Sequence, residues 1–408
     1  MTSWQMQGQG QVQGPTGSER AADAQRRGGG LTIQFLHAAP TPHNNHLLDA
    51  VASVPGVQLH RHYLLGPKEV PGRPWKAMGS GNVQVEHIHA GYDTRFDWRL
   101  VRLALTDRHS AFFVIGWDYP VLVAVLLILG LRRRPLMMWD DGPSAESLAA
   151  YRQLWWQPRQ LLKRLLVTLI NRTPGTYFHT GQVTRDDILA LGVRAAKMQS
   201  MPFFVKPGRR DAALRERYGC DDDTTLIVAG GRLTPEKGYD LYIEALGRLR
   251  QQATRPWRAV LIGSGAEQAR LHALADSLGL GGHLHFVVWA EPEAFADHVH
   301  SCDIFAAPAR FDHFPTTVIA AMQAGVAVVA TQGVGSAVEF IDAGRNGLLA
   351  PPGQAAPLAE HLLWLVQHPD DRHRLAAAAL DTLAQWPVER GAGLIVNAAQ
   401  DALKTCAE

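Results

Sequence analysis

Short runs rich in β-branched and aromatic residues alternate with helical segments in two long stretches of the sequence. The first series runs from LTIQFLHA (31–38) to a helix in TRDDILALGV (184–193). The second runs from TLIVAGG (225–231) to a helix that begins near residue 355. Such alternation is typical of parallel sheets covered by helices on both faces. The sequence therefore predicts an α/β protein with two Rossmann-like domains that face each other across a cleft.

Composition and turn residues suggest where these domains begin and end. Residues 1–30 are rich in Gln, Gly and Arg and offer little to bury, so we expect a disordered tail. We expect a first domain over 31–207 and a second over 208–388, joined at Lys206-Pro207-Gly208. A final helical segment, 389–408, completes the chain.

Charge and cysteine usage exclude several classes of function. A net charge of +2 gives no case for nucleic-acid binding. Cys220, Cys302 and Cys406 lie far apart without metal-ligand spacing, which indicates a reducing compartment and no structural disulfide. The amino terminus lacks the apolar core of a signal peptide. We therefore expect a cytoplasmic protein, and the residues leave open a peripheral contact with the inner face of the membrane.

The most apolar stretch, YPVLVAVLLILGLRRRP (119–135), lies between two strand-like runs. Its apolar part is shorter than the roughly 20 residues that span a bilayer. We favour a buried helix over a segment that dips into a membrane.

The stretch IVAGGRLTPEKGYDLYIEAL (227–246) combines a strand, a glycine turn, two cations and a helix. Gly230 and Gly231 allow free backbone angles or a close approach at the end of the strand. Thr234 followed by Pro235 predicts a helix start, with Thr234 as N-cap. Arg232 and Lys237 beside a helix N-terminus suit an anionic phosphate group. The alternative is a solvated loop with ordinary surface cations.

Four further strands of the second series end in loops of similar character. The residues are Gly263-Ser264-Gly265, Trp289-Ala290, Pro308-Ala309-Arg310 and Thr331-Gln332-Gly333. Because ligands of parallel sheets gather beyond the carboxyl ends of the strands, five such loops in register favour a nucleotide-type site.

Four blocks of the second series together resemble a known family. The blocks are GGRLTPEKGYDLYIEAL, LIGSGAEQARLHALADSLGL, SCDIFAAPARFDHFPTTVIAAMQAGVAVVAT and VEFIDAGRNGLLAPPG. In order and spacing they resemble the nucleotide-sugar half of retaining glycosyltransferases of family 4, over roughly residues 205–385. The first half resembles this family only in its general pattern and in FHTGQVTRDDILALGV.

The resemblance implies a GT-B fold whose last helix crosses back onto the first domain. It also implies transfer of a sugar from a nucleotide-sugar donor, UDP- or GDP-linked, to a glycan or lipid-linked acceptor. Neither a cofactor nor a metal is implied. The histidine that many relatives carry in the first domain is not recognisable here, so the acceptor-side polar group stays unassigned.

The resemblance also implies roles for individual residues of the second half. Arg232 and Lys237 would bind the donor diphosphate, and Asp312 stands where the family has a glutamate near the donor sugar. Eight residues on, Ala320 stands where the family has the glutamate that accepts the ribose hydroxyls, so activity could be impaired. The remaining donor-site candidates are Gly230, Gly231, Gly263, Gly265, Trp289, His313, Phe314, Pro315 and Thr316. For His313, a place near the sugar and a purely structural place after the turn both stay open.

Two other functions fit parts of the pattern. The loss of a carboxylate at Ala320 is compatible with a non-catalytic nucleotide-sugar-binding or scaffold protein that keeps the GT-B fold. An epimerase or phosphorylase of the same fold is disfavoured by the four matching blocks.

The first series holds three groups whose role stays open. Asp140-Asp141 are adjacent and point to opposite strand faces, so they make a poor metal pair, and Asp140 is either an acceptor-side or a structural group. The histidines of HRHY (60–63) and HIHA (87–90) lack a third convergent ligand, which disfavours a metal site. Trp155-Trp156 with Arg159, Lys163 and Arg164 predict part of a long amphipathic helix near 145–170. Its aromatic and basic side chains form either an interfacial surface or an ordinary packed helix.

Overall fold

The computed structural model describes residues 30–65, 85–90, 96–117, 119–143, 149, 152–154, 156–288 and 290–408. Apart from Gly30, the predicted tail lies outside the described residues. The side chains of Leu65 and of residues 85–90, which include the HIHA histidines, are also outside this description.

The strands form two separate parallel sheets. Among the described residues, the first sheet has seven strands in the order β3-β2-β1-β4-β5-β6-β7, and the second has six in the order β10-β9-β8-β11-β12-β13. The first-sheet strands are β1 Leu31–His37, β2 Val57–Leu65, β3 Val85–Ala90, β4 Ala111–Ile115, β5 Leu136–Asp140, β6 Tyr177–His179 and β7 Met198–Ser200. The second-sheet strands are β8 Thr225–Gly230, β9 Trp257–Ile262, β10 Leu284–Val287, β11 Ile304–Ala307, β12 Ala327–Thr331 and β13 Leu348–Ala350.

Helices connect the strands and cover both faces of each sheet, as the alternation predicts. In the first half they are α1 Pro42–Ala52, α2 Trp98–Thr106, α3 Pro120–Leu131, α4 Pro158–Ile170 and α5 Gln182–Ala190. In the second half they are α6 Ala212–Arg217, α7 Tyr239–Gln252, α8 Gln268–Ser277, α9 Pro292–Ser301, α10 Thr316–Gln323, α11 Gly335–Phe340, α12 Ala355–Gln367, α13 Pro369–Ala384 and α14 Val388–Ala407. Each sheet is therefore buried between two apolar layers, and the described residues form four separate core clusters.

Helix α3 is the buried helix that the apolar stretch predicts. Pro120 occupies its first turn, where a missing N–H costs nothing, and Val121, Leu122 and Leu126 are buried against the first sheet. Burial of each such side chain contributes roughly 1.5–3 kcal/mol. Within the described ranges, no helix combines the length and apolar character needed to cross a membrane.

Helix α14 leaves the second half and packs on the first, which confirms the predicted crossing. It covers α1 and lies against β1, β4 and β5, with Ile395 and Ala399 buried in the first-half core. Gly391 lets it approach closely, since a Cβ atom there would lie 2.4 Å from Phe204 Cε2.

Three details of secondary structure differ from the sequence-based expectation. The helix expected near 145–170 does not run through Gln157, whose extended backbone (φ −69°, ψ 140°) precedes the start of α4 at Pro158. Thr234 and Pro235 begin only a 3-10 turn, because Gly238 (φ 68°) interrupts the chain before α7 starts at Tyr239. The short edge strand β7 was not predicted, since three residues carry no readable period.

Candidate active site between the two sheets

A cleft of about 1670 Å³ lies between the carboxyl ends of the two sheets. One wall comes from the ends of β1, β4 and β5 and from α1, and the other from loops after β8, β9 and β11 and from α9 and α10. Parallel α/β sheets bind ligands at this edge, so the cleft is the candidate active site. A smaller cavity of about 300 Å³ between α14 and the loop before β6 contains none of the predicted site residues.

The glycine loops after β8 and β9 lie edge to edge and form part of the cleft wall. Gly231 N–H donates to Ile262 O at 2.9 Å, and Leu233 N–H donates to Ser264 O at 2.9 Å. A Cβ atom at Gly263 would lie 1.9 Å from Gly231 O, and one at Gly265 would lie 2.3 Å from Leu233 O. Only glycine therefore permits this contact between the two backbones, and the loops expose main chain to the cleft.

Lys237 and Asp312 form an ion pair in the same wall. Lys237 Nζ lies 2.6 Å from Asp312 Oδ2, and both side chains are mostly buried. Lys237 ends the 3-10 turn described above, where Gly238 redirects the chain into α7. The pair joins the loop after β8 to the loop after β11.

The two loops are also tied together beneath this pair. Arg310 N–H donates to Glu236 O at 2.8 Å, and the Arg310 guanidinium makes two 2.8 Å hydrogen bonds to the Asp240 carboxylate. Burial alone would raise the pKa of Asp240, but hydrogen bonds and charge from Arg310 outweigh it and lower that pKa. A bidentate pair of this kind has a fixed geometry, so the separation of Lys237 and Asp312 is held by their neighbours.

A bridge to the loop after β12 holds Asp312 from the other side. Asp312 N–H donates to Gly333 O and Gly335 N–H donates to Asp312 O, each at 2.9 Å. A Cβ atom at Gly335 would lie 1.8 Å from His313 O, so the crossing requires glycine.

Arg232 lies in the cleft wall with an exposed side chain. Its guanidinium makes no hydrogen bond or ion pair with any described residue, and its positive charge is available to a ligand. Tyr239 packs against Gly231 in the same loop. Burial raises the pKa of its phenol, and the negative charge of Asp312 raises it further. Tyr239 is therefore uncharged, and it packs against the loop that carries Arg232.

The amino-terminal turn of α10 completes this wall. Pro315 is its N-cap residue without a side-chain cap, and Pro315, Thr316 and Ala320 line the cleft. Ser336 Oγ–H donates to Pro315 O at 2.9 Å and holds the turn. Backbone N–H groups and the helix dipole at this end favour a negative ligand, whereas Ala320 presents only a methyl group.

The structure brings most predicted site residues into one place. Those that line the cleft are Gly230, Gly231, Arg232, Lys237, Gly263, Gly265, Asp312, Phe314, Pro315, Thr316 and Ala320. Trp289 lies outside the described residues.

His313 does not line the cleft, although its neighbours on both sides do. Its ring faces α5 of the first half, where Nε2 lies 3.4 Å from Asp187 Oδ2. This is an ion-pair distance without hydrogen-bonding geometry. Burial raises the pKa of Asp187, and the charge of His313 opposes that rise. His313 thus contributes to the contact between the two halves.

The opposite wall contains polar residues that the sequence did not reveal. His37, Asn44, His46 and Asp49 come from the end of β1 and from α1. Asn44 is 3% exposed, its Nδ2 lies 3.4 Å from His37 Nδ1, and its Oδ1 has no hydrogen-bond partner among the described residues. The only signal in the sequence was their position after the first strand, which is where such sheets bind ligands.

Asp140 lines the first-half wall and also has a structural function. Its Oδ1 accepts from Gly142 N–H at 2.5 Å, and its Oδ2 accepts from Tyr177 Oη–H at 3.2 Å. Burial raises the pKa of Tyr177, and the neighbouring carboxylate raises it further. Across the residues with described positions, no group of three or more His, Cys, Asp or Glu side chains is arranged to hold a metal ion.

Residues 211–382 match the family model described as Glycosyl transferases group 1. The chain is 31% identical over 211 residues to a D-inositol 3-phosphate glycosyltransferase of Stackebrandtia nassauensis, covering 50% of this chain and 47% of that protein. It is 28% identical over 392 residues to D-inositol 3-phosphate glycosyltransferase 2 of Catenulispora acidiphila, covering 88% and 81%. The aligned part spans about half the length of the first of these relatives.

Among solved structures, the Anabaena protein HepE in complex with UDP superposes with a TM-score of 0.69 at 19% identity, covering 90% of this chain and 99% of HepE. The lipopolysaccharide outer core galactosyltransferase WaaB gives 0.61 at 15% identity, covering 90% and 99%. These likenesses show the GT-B fold, and the family match and the relatives' names support a glycosyltransferase.

Proposed function

We propose that this chain is a metal-independent retaining glycosyltransferase of family 4. It moves a sugar from a nucleoside-diphosphate donor to a hydroxyl group of a glycan or lipid-linked acceptor. The observation that carries the proposal is the convergence of Arg232 and Lys237 with two glycine loops and the amino terminus of α10 in one wall of the cleft. Two cations and the backbone N–H groups at the amino terminus of α10 suit a diphosphate.

The chemistry requires the bond between the anomeric carbon and the phosphate oxygen to break. The nucleoside diphosphate leaves with the electron pair, and the acceptor oxygen bonds to the anomeric carbon on the face that the leaving group departs from, which retains the configuration. The acceptor hydroxyl passes its proton to the departing phosphate oxygen. Negative charge therefore develops on the diphosphate in the transition state. Arg232 and Lys237 stabilise that charge electrostatically, and Lys237 needs little reorganisation because its ion pair with Asp312 already fixes its position.

Asp312 connects the diphosphate site to the donor sugar. One carboxylate oxygen pairs with Lys237, and the other is left to accept a hydrogen bond from a sugar hydroxyl. In this arrangement Lys237 contacts both the phosphate and Asp312, so a single cation couples leaving-group stabilisation to the position of the sugar.

We assign the acceptor to the wall of the cleft that the first half contributes. Asn44 Oδ1 is a buried hydrogen-bond acceptor without a protein partner in the described chain, and its side chain lines the cleft. A buried polar group of this kind favours a ligand that donates a hydrogen bond, as a hydroxyl does. This supports a polyhydroxylated acceptor.

A second candidate function is supported by Ala320. Its methyl group occupies the cleft where a carboxylate would accept ribose hydroxyls, so a nucleotide would bind without those two hydrogen bonds. A protein that binds a nucleotide sugar without transferring it would tolerate this loss. Both functions require the diphosphate site, and only the first requires turnover.

A panel of UDP- and GDP-sugars separates the two functions. Binding is measured by calorimetry, and turnover is measured as release of UDP or GDP in EDTA, with water or simple glycosides as acceptors. Retention of the anomeric configuration in an NMR spectrum of the product supports the transferase. Tight binding without release from any donor supports the binding protein, and the absence of binding to UDP and GDP contradicts both.

A further inference from the structure

The first half of the molecule exposes an unusual amount of apolar surface on one layer of helices. Twelve large apolar side chains remain exposed in the described part of the chain, and eight of them lie on or directly before α2, α3 and α4. The eight are Phe96, Trp98, Leu105, Leu131, Trp156, Leu161, Leu162 and Leu165. These three helices pack side by side on one face of the first sheet. Single exposed apolar residues need no explanation, but a concentration on one face does.

Helix α4 is apolar on both of its sides. Leu166, Val167 and Ile170 point inward to the core. Leu161 and Leu165, one turn apart, are 49% and 48% exposed on the outer side. A helix that only packs on its sheet presents polar residues to water, so the outer leucines indicate a second contact.

The segment of the sequence that contains these leucines carries charge of one sign. From Ser147 to Arg185 the sequence contains six Arg or Lys residues and no Asp or Glu. Arg159 and Arg164 lie on the exposed part of α4, next to the outer leucines. Apolar side chains surrounded by long cationic ones are typical of helices that lie in the interface of an anionic bilayer.

The same charge argues against a second copy of this chain as the occupant. A twofold interface would bring the cationic surface of one α4 against the cationic surface of the other, with no acidic residue of that segment to offset the repulsion. An anionic lipid surface instead offers opposite charge and an apolar layer beneath it.

The exposed aromatic residues mark the end of this face that lies nearest the cleft. In each strand-helix-strand unit the helix starts at the carboxyl edge of the sheet, where the cleft also lies. Trp98 opens α2 and Trp156, 60% exposed, directly precedes α4. We propose that the surface formed by Trp156, Leu161, Leu162 and Leu165, with Arg159 and Arg164, docks this protein onto anionic lipid beside the mouth of the cleft.

Co-sedimentation with vesicles tests the proposal on the full chain. We expect binding to phosphatidylcholine vesicles that contain phosphatidylglycerol, little binding to phosphatidylcholine alone, and release by salt. The double variant Leu161→Gln/Leu165→Gln should weaken binding roughly tenfold or more, because two side chains no longer enter the apolar layer. Leu380→Gln, a similarly exposed leucine of α13 in the second half, is the matched control and should bind as the unmodified chain does.

A second measurement covers the case in which the double variant does not fold. In a Cys406→Ser background, the variant Leu161→Cys is labelled with a polarity-sensitive fluorophore. The emission of this label should shift to the blue when anionic vesicles are added. The same label on Leu380→Cys should not respond. Absence of vesicle binding, or equal binding by the glutamine variant, overturns the proposal. A dimer of the unmodified chain that the glutamine variant converts to a monomer overturns it as well and assigns the surface to a second copy.

Discussion

Lys237 Nζ lies 2.6 Å from Asp312 Oδ2, so the two charged residues proposed to contact the donor already contact each other. A diphosphate that binds here does not meet an unpaired lysine, and the gain in Coulomb energy is partly offset by the existing ion pair. Arg232, exposed in the same wall, has no such partner in the described chain. The two cations should therefore differ in what their removal costs.

Arg232→Ala and Lys237→Ala should each weaken binding of UDP or GDP, by roughly 10- to 100-fold if each removes one charge-assisted hydrogen bond of about 1.5–3 kcal/mol. The Lys237 variant should lose more transfer activity, because it also leaves Asp312 without its cation. Calorimetric titration gives the affinities. Arg248→Ala, an exposed arginine of α7 away from the cleft, is the matched control. Unchanged affinity in both site variants would remove the diphosphate assignment.

Asp312→Asn should separate binding from turnover. The amide keeps the shape and one acceptor oxygen but loses the charge, so a hydrogen bond to a sugar hydroxyl weakens by about 1 kcal/mol or more. We expect kcat to fall roughly tenfold and the Kd for the free nucleoside diphosphate to hold or improve, since Lys237 no longer has a competing anion. A large loss of nucleoside diphosphate affinity with unchanged kcat would contradict the proposed contact with the sugar.

Ala320→Glu should raise the affinity for a nucleoside diphosphate roughly tenfold or more, since a carboxylate there can accept hydrogen bonds from two ribose hydroxyls. Ala320→Gln is a control of the same size without the charge and should gain less. A 2′,3′-dideoxy analogue should show no gain with either variant. If Ala320→Glu folds and binds the ribonucleotide no better than the unmodified chain, position 320 does not face the ribose.

Gly263→Ala should destabilise the loops that carry the site. A Cβ atom would lie 1.9 Å from Gly231 O, and the backbone angle (φ 152°) is one that other residues rarely adopt. We expect the free energy of unfolding to fall by about 1–3 kcal/mol, together with weaker nucleotide binding. Gly281→Ala, with no atom within 4 Å of the added methyl, should stay within about 0.5 kcal/mol in urea unfolding. Equal stability of the two variants would mean that the loops do not need this contact.

Stability should decrease as the pH falls below 6.5, the unshifted pKa of histidine. Burial lowers the pKa of His46, His179, His285 and His300 in the folded chain. Near pH 6.5 the unfolded chain binds protons that the folded chain does not, so the free energy of unfolding falls with pH there and is unaffected by these groups well above it. Melting curves between about pH 7.5 and 5.5 measure the slope. His285→Gln should reduce this slope, and an increase of Tm toward acid would contradict this account.

The parallel sheets were predictable because both faces of their strands are buried, which leaves continuous apolar runs such as TLIVAG in β8. The wall of the cleft that carries Arg232 and Lys237 was also predictable, because these two cations lie only five residues apart in the sequence. The start of α7 was not, because Thr234-Pro235 has the same signature whether a helix or a single 3-10 turn follows. Only the close approach at Gly238, where a Cβ atom would meet Pro308 O at 2.2 Å, decides between them.

The first-half wall could not be predicted in the same way. His37 ends a strand, Asn44 lies in the first turns of a helix and Asp140 ends a strand about 100 residues later. No local spacing joins these residues, and only the packing of α1 against the first sheet brings them to one surface. For the same reason His313 could not be assigned, since its partner Asp187 comes from the other half of the molecule.

The return of α14 to the first half has a consequence for the order in which the protein folds during synthesis. The helix packs on α1 and against β1, β4 and β5, yet it follows both sheets in the chain. Until the ribosome has released it, this face of the first sheet has α1 packed on it but lacks α14, and Phe204 and Leu47 lack the contact with Gly391. We therefore expect the half that is made first to be completed last, with part of its apolar core open to solvent during synthesis.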